Sequence, residues 1–205
     1  NVDFGPGGSA RLEARDSVEQ ISGKRLVAGI AEAQAGDKVA LVTNLDGVSV
    51  TAGGEVSISD QDALVVKELL SGKGRVALKT VGDLSIESLS FSEDLEGNEV
   101  TLLTKGGGKL TVDSLDAGAK GRVSVESGGS FVTAEGGFLQ ADSVDALLHS
   151  GGIDIETGIV TLSATLKSPA ELRIVESDDL ILNKVFLAEG DIYIEAAGAL
   201  ELTDV

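Results

Sequence analysis

No cysteine, methionine or tryptophan occurs among the 205 residues, and aromatic side chains make up 3% of them. The first absence excludes disulfides and thiolate metal sites and leaves the redox compartment unread. The others leave Val, Leu, Ile and Ala to fill any core, and these stack better in thin repeated layers than in an irregular globule. Positive charge is also short, with 16 Lys and Arg against 34 Asp and Glu and a net charge of −18. That balance argues against nucleic acid and against anionic membrane surfaces, both of which are gripped by Lys and Arg. It favours solubility and keeps neighbouring copies apart. No apolar run approaches the roughly 18 residues that cross a bilayer, so no membrane insertion is expected. The chain begins with Asn1 and shows no signal peptide, which reads as a processed or internal piece.

What is abundant is glycine, 27 residues against 2 proline, and it punctuates a repeat. Residues 55–89, EVSISDQDALVVKELLSGKGRVALKTVGDLSIESL, align without a gap with 171–205, ELRIVESDDLILNKVFLAEGDIYIEAAGALELTDV. Seven of the 35 positions are identical, and the apolar positions match nearly throughout. A shorter period lies inside this one. One series of strand starts runs through Val56, Val76, Val100, Val123, Ile153, Leu172 and Ile192. A second runs through Leu64, Leu84, Leu110, Phe131, Ile159, Leu180 and Leu200. Both advance by about 20 residues and swell together between Val123 and Ile153, so residues 126–152 read as a corner insertion.

Each strand is short and bounded by Gly, Asp, Asn or Ser. Gly74, Gly82, Gly121, Gly190 and Gly198 stand just before strands, where a tight corner needs unusual φ or no Cβ. ALVVKELL (63–70) and DALLHS (145–150) have the length of a turn or two of helix, but the first aligns with DLILNKVF, whose composition favours strand. A 20-residue period with two or three strands and Gly or Asx corners predicts a parallel β-helix, all-β, as a single unit over 1–205. Residues 1–38 carry the weakest repeat. Nine or so coils at about 4.8 Å each would make a rod roughly 45 Å long. The rival is an antiparallel sandwich with strands every 8–12 residues, which does not call for a long gapless self-match.

The segments GDLSIESL, KLTVDSLDAGAKGRVSVESGG and GDIYIEAAGALELTDV resemble the long G-D-[VI]-x-[LIV]-x-[AT]-x-G-x-[LI]-x-[LIV] arrays of filamentous-haemagglutinin-like bacterial exoproteins and giant surface adhesins. The resemblance covers most of the chain and specifies an architecture rather than a ligand. It implies a right-handed β-helix, secretion to the bacterial cell surface, and a stalk or adhesin role. No catalytic residues carry over from it.

The candidate sites are few. His149, the single histidine, stands near Asp145 and Ser150, but no nucleophile elbow precedes it, and a surface corner is the better reading. Asp60, Asp62, Asp94, Asp178 and Asp179 are candidate oxygen ligands for Ca²⁺, without EF-hand spacing or the repeated motif of calcium-binding β-rolls. The glycine-rich TKGGGKL (104–110) and DFGPGG (3–8) lack Walker spacing and read as corner loops. Within the insertion, Phe131 and Phe138 are taken as exposed and as the place of a specific contact.

These features predict a non-catalytic rod segment of a large secreted surface protein. Its partners would be neighbouring repeats of the parent chain, or a host or cell-surface receptor, and no cofactor is called for. An alternative is end-to-end self-association into a filament or surface layer, because the pattern runs to Val205 without a polar cap. A polysaccharide-degrading β-helix enzyme is a further rival. It would need converging carboxylates and grouped aromatics, which are scattered here.

Overall fold

The computed structural model describes residues 1–204; Val205, the last position of the sequence pattern, lies outside the described residues. Nineteen strands join in one sheet, every pairing is parallel, and no helix occurs among the described residues. The antiparallel sandwich is therefore excluded. The fold is a parallel β-solenoid.

Its spine is one unbroken ladder. Val18, Val39, Val56, Val76, Val100, Val123, Val144, Leu162, Leu182 and Leu202 stand opposite one another on successive coils. The steps range from 17 to 24 residues, and ten coils at the parallel strand spacing span about 43 Å. Inward residues are mostly Val, Leu, Ile and Ala, with a few buried Thr, Ser, Asp and Glu at strand ends. Phe131, fully buried, is the one aromatic in the core among the described residues. Alternation explains the choice: successive residues of a strand point to opposite faces, so every second apolar residue meets its equivalent one coil on.

Each regular coil has a straight strand and a bent one. In the coil that begins at Val56, Val56–Asp60 is straight. Leu64–Ser71 bends at Lys67 and Glu68, two exposed residues in succession. The same doublet recurs at Asp113 and Ser114 and at Asn183 and Lys184. Corner glycines allow the close approach of successive turns. A Cβ on Gly53 would overlap the carbonyl oxygen of Gly36, and one on Gly72 that of Gly53. Gly74 instead needs positive φ, 91°, and Gly190 needs both, with φ 133° and a Cβ that would overlap the Ala170 carbonyl oxygen. Gly53→Ala is expected to destabilise the fold by about 1–3 kcal/mol in urea unfolding. Gly47→Ala, which meets only ordinary contacts, should stay within about 0.5 kcal/mol of the parent. Equal costs for the two would refute the close-approach account.

The pairing corrects the expectation for 126–152. Val123 pairs with Val144, not with the coil of Ile153, and Phe131 pairs with Ile153, not Ile159. Most of the supposed insertion is one strand, Phe131–Leu148, which includes Asp145–Leu148 of the possible helix. Only a short bulge is extra, four residues standing where the coil below has Asp113 alone. Ala134, Glu135, Gly136 and Gly137 bulge out between positions that pair regularly with Val112 and Ser114 below. The two strand series exchange faces here because both faces carry the same alternation.

The repeat is also more extensive than sequence identity shows. Val39–Ala52, Val56–Asp60, Leu64–Ser71, Arg75–Thr80 and Leu84–Ile86 are matched in order by Ile153–Leu166, Leu172–Glu176, Leu180–Leu187, Ile192–Ala196 and Leu200–Leu202. Even the register shift recurs, between Val48 and Ser49 in the first copy and between Leu162 and Ser163 in the second. Two residues added between Ala52 and Glu55 in the second copy move the offset from 114 to 116. That gap hides the longer match. The copies lie half a coil out of phase, since Val56 belongs to the spine ladder whereas Leu172 falls midway between Leu162 and Leu182 along the chain.

Candidate binding surface

The buried polar residues show which acidic side chains serve the fold. Asp60 is 1% exposed and ends a straight strand at an inward position. The Thr43 hydroxyl (2.6 Å) and the Leu45 amide (3.0 Å) donate to its Oδ2, and the Asp62 amide donates to Oδ1 at 2.8 Å. In the second copy Glu176, 2% exposed, does the same. It accepts from the Thr157 hydroxyl at 2.7 Å, the Ile159 amide at 2.9 Å and the Asp178 amide at 3.2 Å. A carboxylate in this place closes the corner by pairing two buried donors and a third that is partly buried. Thr80, Thr104 and Ser127 continue the stack above Asp60, their hydroxyls donating to the carbonyls of Gly82 and Gly108.

The Ca²⁺ candidates are distributed accordingly. Asp60 faces the interior with its oxygens engaged, while Asp62 and Asp178 are exposed. Asp94 Oδ1 accepts the Lys120 amide at 3.3 Å, and Asp179 Oδ1 accepts the Ala199 amide at 2.6 Å. These two clasp one coil to the next, as Asp83 does with Lys109. Among the described residues no group of three or more His, Cys, Asp or Glu converges. Glu176 was not singled out in the sequence, although inward Leu172 and Ile174 place it at inward parity, as Val56 and Ile58 place Asp60.

His149 does not assemble a triad. Its Nε2 meets Glu126 Oε1 at 3.0 Å, and the Ser150 hydroxyl donates to the Gly128 carbonyl at 2.5 Å. Phe131, expected at a contact surface, is fully buried and stacks between Leu110 and Ile153. Phe138 behaves differently. Seven residues on, it has the opposite parity and is 39% exposed. The four-residue bulge lifts it, and the Thr133 hydroxyl oxygen ties the bulge to the next coil by accepting the Glu156 amide at 3.0 Å. The ring lies over Gly158, where a Cβ would come 2.8 Å from Phe138 Cζ. In the first copy Arg25 and Asn44 occupy the places of Phe138 and Gly158, by the register of Leu26 with Thr43 and of Leu139 with Thr157.

On the same outer surface, Asp154, Arg173 and Tyr193 stand in register on three successive coils. Arg173 Nη1 donates to Asp154 Oδ1 at 2.7 Å, and its guanidinium lies 5.8 Å from the Tyr193 ring centroid. The hydrogen bond to Asp154, with its charge, raises the guanidinium pKa further above its ordinary value. The Tyr193 hydroxyl donates to Glu195 Oε2 at 3.1 Å.

A third surface feature is a row of alternating charge. Lys38, Glu55, Arg75, Glu99 and Arg122 each precede the spine residue of their coil, and Arg75 meets Glu99 at 2.8 Å. Such a row favours one register over its neighbours.

Comparison of the chain with protein-family models, curated proteins and solved structures gave no match in any of the three. The fold and its surface define a parallel β-solenoid, and no family is assigned to it.

Proposed function

We propose that this chain is a non-catalytic, rod-like segment of a large secreted bacterial surface protein, acting as a stiff spacer. One observation carries the reading: an inward ladder that runs through ten coils without a break. Parallel backbone pairing on every coil, locked by stacked aliphatic side chains, resists bending and shear. Clasps from Asp83, Asp94 and Asp179 tie consecutive corners together. The excess of carboxylates on the outside holds neighbouring rods apart. Apart from Phe131 and the polar side chains that close the corners, the interior of the described residues is aliphatic, and this suits a structural role better than turnover.

The reading is tested on intact cells of the source organism. An antibody raised against residues 1–205 should label unpermeabilised cells, and external protease should remove the label. Labelling that appears only after lysis would reject the surface assignment. Held by its two ends in an optical trap, the chain should lengthen in steps of about one coil, some 20 residues each. Smooth extension at low force would reject the stiff-spacer role.

A further inference from the structure

Six aromatic residues occur in the chain. Phe131 is buried and Phe91 half-buried, while Phe4, Phe138, Phe186 and Tyr193 are exposed. Phe4 lies in the first coil, and Phe186 stands beside Thr165 on the other ladder. Phe138 and Tyr193 share one outer surface. Leu139, Thr157, Glu176 and Ala196 are in register on consecutive coils, so Phe138 is three coils from Tyr193 and two residues away along the strand. From strand spacing and rise, the two Cα atoms are about 16 Å apart.

Both rings are held in place. Gly158 leaves room for the end of the Phe138 ring to rest on the next coil, and the bulge that presents it is anchored through Thr133. Tyr193 is fixed by Arg173 on its face and Glu195 at its hydroxyl. Between the rings lie half-buried Val175 and the polar side chains of Asp154, Glu156 and Arg173. Gln140 and Ser177 flank Phe138.

We propose that this surface binds a neutral carbohydrate chain. The C–H faces of pyranose rings suit flat, ordered aromatic platforms, and ring hydroxyls suit carboxylate acceptors and a guanidinium donor set on a rigid sheet. The separation of the platforms matches a short oligosaccharide lying across the coils. Electrostatics selects the class of sugar. Glu135, Asp154, Glu156 and Glu195 outnumber Arg173 here, and a molecule of net charge −18 repels polyanions such as heparin. The first repeat copy lacks the site, because Arg25 and Asn44 replace Phe138 and Gly158.

Tyr193 is the one tyrosine in a chain without tryptophan, so tyrosine emission reports this site alone. The intact chain is titrated with neutral hexasaccharides derived from cellulose, chitin and starch, and with a heparin hexasaccharide and a lysine hexapeptide. At least one neutral sugar should change the emission saturably and independently of salt, heparin should not change it, and any change by the lysine hexapeptide, drawn by the carboxylates, should vanish in salt. Phe138→Ala should weaken binding by about tenfold or more, Phe186→Ala should leave it unchanged, and Phe138→Tyr, read by calorimetry because it adds a second tyrosine, should restore it. Retention of the parent circular dichroism and Tm by Phe138→Ala separates lost binding from lost fold. Silence with all three neutral sugars would overturn the proposal. So would an undiminished response in Phe138→Ala, or a response confined to a charged probe.

Discussion

Replacing Phe131 by alanine should cost about 3–5 kcal/mol, the range for emptying a fully buried aromatic site. The side chain is 0% exposed and is held between Leu110 and Ile153 in the inward stack. Because a solenoid coil touches only its neighbours, the damage should stay in the middle of the rod rather than spread through a common core. Urea unfolding of Phe131→Ala should therefore separate into two transitions, with amides near Leu110 and Ile153 losing hydrogen-exchange protection first. A single transition shifted by less than about 1 kcal/mol would mean that Phe131 is not a core residue.

Asp60→Ala should destabilise by about 3 kcal/mol. The change leaves the Thr43 hydroxyl and the Leu45 and Asp62 amides without their acceptor, and each buried donor so orphaned costs about 1–3 kcal/mol before relaxation. Adding Thr43→Val should recover part of the loss, because one orphan is removed with its partner. Glu176→Ala should behave alike in the second copy, with Thr157→Val as its compensating change. Midpoints of urea unfolding for the single and double variants measure the coupling. Strict additivity of Asp60→Ala and Thr43→Val would show that the carboxylate does not serve the hydroxyl.

The strands, their parallel pairing and the 20-residue coil were legible because Val, Leu and Ile alternate with polar residues between glycine-marked corners. The phase of the coils was not. Val123 and Phe131 open strands on different faces, yet both faces present the same alternating pattern, so a linear reading slides from one ladder to the other without a break in hydropathy. The four-residue bulge at Ala134–Gly137 was spread over a much longer insertion for the same reason. At the surface, Phe131 and Phe138 look equivalent by residue type, and only strand parity separates the core ring from the exposed one. Asp60 drew attention as a carboxylate near Asp62, whereas its inward parity after Val56 and Ile58 marks it as a corner closure. Nothing in the linear sequence brings Asp154, Arg173 and Tyr193 together. Their meeting depends on strand register across two coil boundaries.

The half-coil phase between the two repeat copies sets what the rod displays to its surroundings. With a whole number of coils between them, matching positions would line up along one flank and favour bivalent contact with a single flat partner. Here the matching positions come to lie on opposing flanks. Decoration of one copy's outer face is thus independent of the other's, so Phe138 can occupy its flank while Arg25 occupies the corresponding place across the axis. A molecule built this way has two addressable sides from one folding unit.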